Sequence, residues 1–292
     1  MKSCAPLYLI FLLALESCFS GGPGKERTQT PTPRVISVVA NGSTKRTLKQ
    51  KINPAQIRKD DPDWKRAELE VDSNQEKIDA RLAALSRAET ERFVLRRGNT
   101  KRNTIALTFD DGPHPAATLK LLDILSKEGV PATFFVVGFM ADKYPDLIRA
   151  IKAAGQEIGN HTYSHVTLTR IPADQAMVEY KATNDVIRRI TGSSPRYCRP
   201  PGGDFNRAVL RNAAELGLTT VLWTDDPGDY TKLADKAVFN REVARLKPGG
   251  IILLHDGAKS TLKTLPAFIR TARGMGFKFV TLDELKSPKR EK

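Results

Sequence analysis

The chain has 292 residues, of which 40% are hydrophobic, and its 47 basic and 33 acidic side chains give a formal net charge of +14. This length allows one large domain with extras or two ordinary domains, and the apolar content excludes wholesale disorder. Residues 1–103 hold 20 basic and 12 acidic residues, so the surplus is concentrated in an N-terminal arm. Such an arm suits an anionic wall polymer or membrane surface, or is simply a solvated linker; with no nucleic-acid motif and no interleaved aromatics, nothing points to nucleic acid.

Residues 1–20 read MKSCAPLYLIFLLALESCFS. One Lys, a short apolar run and then small residues form the pattern of a signal peptide, and the run is too short to span a bilayer. A retained N-terminal helix is the alternative. Export to the periplasm, cell envelope or medium is expected. The stretch LESC is similar to a bacterial lipoprotein box, but Glu16 fits it poorly, so cleavage near Ser20 is preferred to lipidation of Cys18. That cleavage leaves Cys198 as the single cysteine. An internal disulfide is then excluded, and Cys198 reads as a small core residue.

Residues 21–62, which include TPTPR, read as a basic flexible linker with one candidate strand at 35–39. Residues 63–91 carry helix formers; Ile78, Leu82 and Leu85 stand at i, i+4 and i+7, one apolar helix face to pack on the main domain. From Phe93, FVLRR, GN and NTIALTF read as two strands around a turn. Strand candidates follow at 105–109, 132–137, 157–159, 197–199, 219–222, 251–254 and 278–281. Helical patterns such as Leu119, Leu122 and Leu125 separate them. The strands are short and continuously apolar, which signals burial on both faces and a parallel sheet covered by helices. Seven βα-like units predict an α/β fold closed as a barrel or a distorted barrel, with a helix-containing basic extension before it. Residues 287–292 form a basic tail.

Polar clusters follow five of these strands. In parallel barrels, functional residues sit at the C-terminal ends of strands. Asp110 and Asp111 stand at the first such end, and two adjacent carboxylates repel unless a cation is near. Two of the four histidines, His161 and His165, form an i, i+4 pair that can hold one metal ion, with an aspartate completing the set. Three protein ligands leave positions open for water and substrate, the mark of a catalytic metal site. His255 and Asp256 end the strand IILLHD, while RPPGG and WTDDPGDY follow two others. Taken singly, each cluster could be a core or capping feature; five at strand ends point to one site.

The segments TFDDGP (108–113), HTYSH (161–165), RPPGG (199–203), WTDDPGDY (223–230) and LLHD (253–256) resemble, in order, the five motifs of the polysaccharide deacetylases of the NodB homology type. The resemblance covers residues 92–286. It implies a distorted (β/α)7 barrel that removes acetyl groups from N-acetylated sugars with a divalent metal, zinc before cobalt or nickel. By position, Asp111, His161 and His165 resemble the metal ligands and Asp110 the general base, with Arg199 orienting it. His255 resembles the general acid and Asp229 its orienting carboxylate. Tyr230 and Leu253 resemble walls of the acetyl pocket, and Pro201, Gly202 and Tyr163 fall in the substrate groove. The amide of Tyr163 or Ser164 is a candidate oxyanion donor. His114 reads as a loop residue and Asp256 as structural.

Two positions depart from the family pattern. Tyr230 stands where Trp is usual, and Gly202 where an aromatic is frequent. The second bears on glycan specificity more than on catalysis. The expected substrate is N-acetylglucosamine in cell-wall peptidoglycan, with chitin oligomers or poly-N-acetylglucosamine as runners-up. A non-catalytic glycan-binding barrel and a metal-free hydrolase of cyclic ureides are disfavoured by the intact set of acids, bases and ligands.

Overall fold

The computed structural model describes residues 71–286. The expected signal peptide, the linker with its candidate strand and the basic tail lie outside the described residues. Two helices come first, α1 (Ser73–Ala83) and α2 (Arg87–Phe93). Chain 84–86 interrupts the single helical pattern, because Ser86 accepts from the Glu89 amide and the Glu89 carboxylate accepts from the Ser86 amide, which starts a new helix. Then follow β1 (Val94–Leu95), β2 (Thr104–Gly112), α3 (Thr118–Glu128), β3 (Ala132–Val136), α4 (Gly138–Lys143), α5 (Pro145–Ala153), β4 (Glu157–Asn160) and α6 (Ala173–Thr191). The chain continues as β5 (Tyr197–Cys198), α7 (Arg207–Glu215), β6 (Thr219–Val221), α8 (Asp235–Arg245), β7 (Gly250–His255), α9 (Lys259–Gly274), β8 (Lys278–Phe279) and α10 (Leu282–Lys286).

Every strand pairing is parallel, in the order β1-β6-β5-β4-β3-β2-β7, with β8 beside the start of β2. Past β6, Asp225 bridges Ile252 of β7, so the sheet curls back on itself. This is the distorted (β/α)7 barrel that the alternation of patterns predicts.

The expected hairpin around Gly98 does not form. Val94 and Leu95 pair in parallel with Thr220 and Val221 of β6, not with β2. β2 instead lies between β3 and β7. It is buried along nearly its whole length, and a strand apolar on both faces gains most from a central place.

The helices cover the sheet through apolar stripes. Leu121, Leu125, Ile148, Phe268 and Ile269 pack over Leu107, Phe109, Phe134 and Ile252 in one cluster. A second cluster joins Ile78 and Leu82 of α1 to Tyr180, Cys198, Phe205, Trp223 and Leu253. Leu85 packs against it from the interhelical turn. Complete burial of Ile78 contributes about 1.5–3 kcal/mol. Residues 71–93 thus share the barrel's core, and α1 lies against chain that follows the C-terminal ends of β5 and β6.

Candidate active site

The mouth of the barrel is built from loops held in costly conformations. β2 runs through Asp110 and Asp111 rather than ending before them, and its register with β3 shifts between Phe109 and Gly112. Asp111 sits in that bulge with φ 68°. Thr162 and His165 have φ 65° and 59°. The left-handed region costs about 1–2 kcal/mol for a residue with a Cβ and is most unusual for a β-branched one. Buried hydrogen bonds hold Thr162 there. Its amide donates to Asn160 Oδ1 at 2.8 Å, and Asn160 Nδ2 donates to the Tyr180 carbonyl and to Asn184 Oδ1 at 2.7 and 2.8 Å. Its carbonyl accepts from the Gly138 amide at 2.9 Å. Strain collected at a site and fixed by its surroundings marks functional geometry.

These backbones bring one oxygen and two nitrogens together. Asp111 Oδ1 lies 3.3 Å from His161 Nε2 and 3.0 Å from His165 Nε2. Donor atoms of all three residues fall within 4.8 Å of one another. His161 Nδ1 lies 2.7 Å from the Arg199 carbonyl. A carbonyl only accepts, so Nδ1 carries a hydrogen, and Nε2 is the ring atom that faces Asp111. Burial works to raise the Asp111 carboxyl, but the rings of His161 and His165 hold it well below the usual carboxylate range. Two imidazoles, one carboxylate and a half-exposed position suit a borderline divalent cation such as zinc.

Two further pairs flank this set. Asp110 Oδ1 accepts from Arg199 Nη1 at 2.7 Å, while its Oδ2 lies 3.7 Å from His161 Nε2. Arg199 is fully buried, 4.3 and 5.5 Å from the ring centroids of Phe135 and Trp223, and also donates to Thr108 Oγ1 and the Val221 carbonyl. Its guanidinium therefore has a fixed direction. His255 Nδ1 lies 2.8 Å from Asp229 Oδ1, and the His255 amide donates to Asp229 Oδ2 at 2.7 Å. Thr261 Oγ1 donates to the same carboxylate. Burial lowers the His255 pKa, but Asp229, with Asp110 and Asp111 farther off, outweighs it and lifts the ring to about 9.

A cleft of about 330 Å³ exposes this chemistry. Asp110, Asp111, His161, His165, Gly202, Tyr230, Leu253 and His255 all line it. Tyr230 stands edge-on to His255 with ring centroids 4.7 Å apart. Arg199 and Asp229 act from behind the lining. Pro201 is buried in the turn 201–203, which also holds Gly202. Tyr163 does not line the cleft and packs against the core. Nor are the expected oxyanion donors available. The Tyr163 and Ser164 amides both donate to Glu179 Oε2 at 2.8 Å, because α6 aims that carboxylate at the strained loop. His114 belongs to the turn before α3, and the Asp256 carboxylate accepts from Thr118 and from the His114 amide.

Sequence reasoning misses three lining residues. Trp223 and Asp226 lie inside WTDDPGDY, and burial pushes Asp226 up to about 6. The motif signals both, but which of its carboxylates face the cleft depends on the turn at Gly228. Asn74, from α1, has no motif to announce it.

A profile of the polysaccharide deacetylase family matches residues 97–221. The peptidoglycan-N-acetylmuramic acid deacetylase PdaC of Bacillus subtilis is 35% identical over 65% of this chain, which spans 40% of that protein's length. A chitooligosaccharide deacetylase of Sinorhizobium fredii is 40% identical over 55% of this chain and 75% of its own. Among solved structures, a peptidoglycan N-acetylglucosamine deacetylase superposes with a TM-score of 0.66 at 31% identity, covering 69% of this chain and 96% of its own. With the barrel, the order of the motifs and their meeting in one cleft, these likenesses establish that the chain belongs to the polysaccharide deacetylase family.

Proposed function

We propose that the protein is an exported, metal-dependent deacetylase that hydrolyses the N-acetyl group of N-acetylglucosamine in cell-wall peptidoglycan. The observation that carries this reading is the pairing of a held base with a held acid in one cleft. Asp110, oriented by Arg199, takes the proton of the attacking water. His255, kept protonated by Asp229, gives a proton to the departing amine nitrogen. Water adds to the acetyl carbon, the C–N bond breaks, and acetate and a free amine result. Asp111, His161 and His165 would hold the divalent cation, which supplies polarisation of the acetyl carbonyl and acidification of water. Tyr230 and Leu253 offer apolar faces for the acetyl methyl.

The lining supports a neutral sugar. Among the described residues no Lys or Arg lines the cleft, while Asp110, Asp111 and Asp226 do. Apart from the His255 imidazolium, which serves the departing amine, the lactyl carboxylate of muramic acid would meet no cationic side chain there, whereas N-acetylglucosamine brings no charge. The signal-peptide pattern and the basic arm favour an anionic wall over free chitin oligomers.

The test is acetate release by residues 21–292 with zinc, from purified peptidoglycan and from chitin oligomers side by side, with and without a chelator. The expected result is acetate and glucosamine units from peptidoglycan, abolished by the chelator. Muramic acid units freed of acetyl, or turnover of chitin alone, would overturn the substrate assignment.

A further inference from the structure

We propose that Asn74, on α1 and outside the region matched by the family profile, binds substrate: its carboxamide hydrogen-bonds a hydroxyl of the sugar next to the one being deacetylated. The inference rests on the deacetylase reading and deepens it, because it makes the N-terminal extension part of the glycan site rather than only a tether.

Four observations carry it. Asn74 lines the same cleft as Asp111, His165, Tyr230 and His255. Its Nδ2 donates to the Gly202 carbonyl at 3.2 Å. That bond uses one of two amide hydrogens and leaves the second, with Oδ1, for a ligand. Gly202 itself offers no side chain, and a Cβ built there would meet nothing within 4 Å. The groove is therefore open at this point, and Asn74 is the polar side chain beside the opening. Finally, α1 is anchored around Asn74. Asp72 pairs with Arg241 and Arg245 at 3.3 and 2.6 Å, Arg81 pairs with Asp204 at 2.7 Å, and Ile78 is buried with Trp223. A hydrogen-bonding group held this way loses little freedom on binding.

The fold is consistent with this at the next residue as well. Gly203 has φ 64°, and a Cβ there would lie 2.7 Å from Trp223 and 2.8 Å from Ile78. The absence of a side chain at 203 thus lets α1 approach closely enough to bring Asn74 to the cleft.

The experiment compares wild type with Asn74→Ala and Asn74→Ser on two substrates: a soluble N-acetylglucosamine tetramer, or peptidoglycan fragments if the tetramer is not turned over, and a small aryl acetate that reaches only the acetyl pocket. On the oligomer, both variants should raise KM about 5- to 10-fold, the worth of one well-placed hydrogen bond, with kcat within about twofold. On the aryl acetate, kcat/KM should stay within about twofold, and the unfolding midpoint should move only slightly, since the bond lost to the Gly202 carbonyl is solvent-exposed. An unchanged KM on the oligomer overturns the proposal. Equal losses on both substrates also overturn it, since they show that Asn74 only ties α1 to the 202 loop. A wild type that releases no acetate from any glycan defeats the deacetylase reading and this inference together; an active wild type with indifferent variants defeats this inference alone.

Discussion

In the proposed mechanism His255 carries a proton to the amine, so its environment would set the alkaline limit of the reaction. In the metal-free protein the ring should titrate near 9, followed by NMR, and Asp229→Asn should move it toward the ordinary histidine value. No movement would remove Asp229 as the cause. The same pair contributes to stability: the folded pKa lies above the unfolded value of about 6.5, so the contribution is fully present below about 6.5 and is lost as pH rises toward about 9. A bound cation repels the imidazolium and should shift that loss to lower pH. At the base, Asp110→Asn should keep zinc content unchanged and lower kcat about 10²- to 10⁴-fold, whereas Asp111→Ala should lose metal and activity together. Near-normal turnover by Asp110→Asn would refute the base assignment. These residues announce themselves in sequence only together, since one carboxylate or imidazole cluster at a strand end can be a cap or core feature, but five at different strand ends point to one site. Glu179 does not: its binding of the Tyr163 and Ser164 amides is visible only once α6 is packed beside the loop.

At the scale of elements, α1 serves both core and cleft. Ile78→Ala should lower stability by about 2–5 kcal/mol in denaturant unfolding, because it opens a cavity beside Trp223 and Tyr180. Gly203→Ala should destabilise by more than about 1 kcal/mol, since it adds a Cβ against Trp223 and Ile78 at a left-handed position. An unperturbed unfolding midpoint in either variant would contradict the packing described. The spacing of Ile78 and Leu82 reveals an apolar helix face, but not what that face covers. β1 shows the same limit. Its composition marks a strand, yet a two-residue strand carries too little pattern to choose a partner, and its pairing with β6 rather than β2 follows from the way the sheet curls.

For the whole molecule, the shared core makes a sharp prediction. Deleting residues 1–91 removes Val71, Ile78 and Leu82, each buried, and should lower the unfolding midpoint and turnover of short oligomers together. Loss of wall binding with undiminished oligomer turnover would instead support a detachable tether. The sequence by itself determined the class of fold, because strands buried on both faces and separated by amphipathic helices can hardly assemble otherwise than as a parallel sheet under helices. It also singled out the side chains that the proposed mechanism uses, since few residue types can bind a cation or move a proton. Only the tertiary structure decided how they meet. The bulge that turns Asp111 toward two histidines, the burial that fixes Arg199 on Asp110, the diversion of two amides to Glu179 and the arrival of Asn74 from outside the barrel all depend on contacts between segments distant in the chain. Local periodicity reports which residues a segment buries, and it holds no information about which segment buries them.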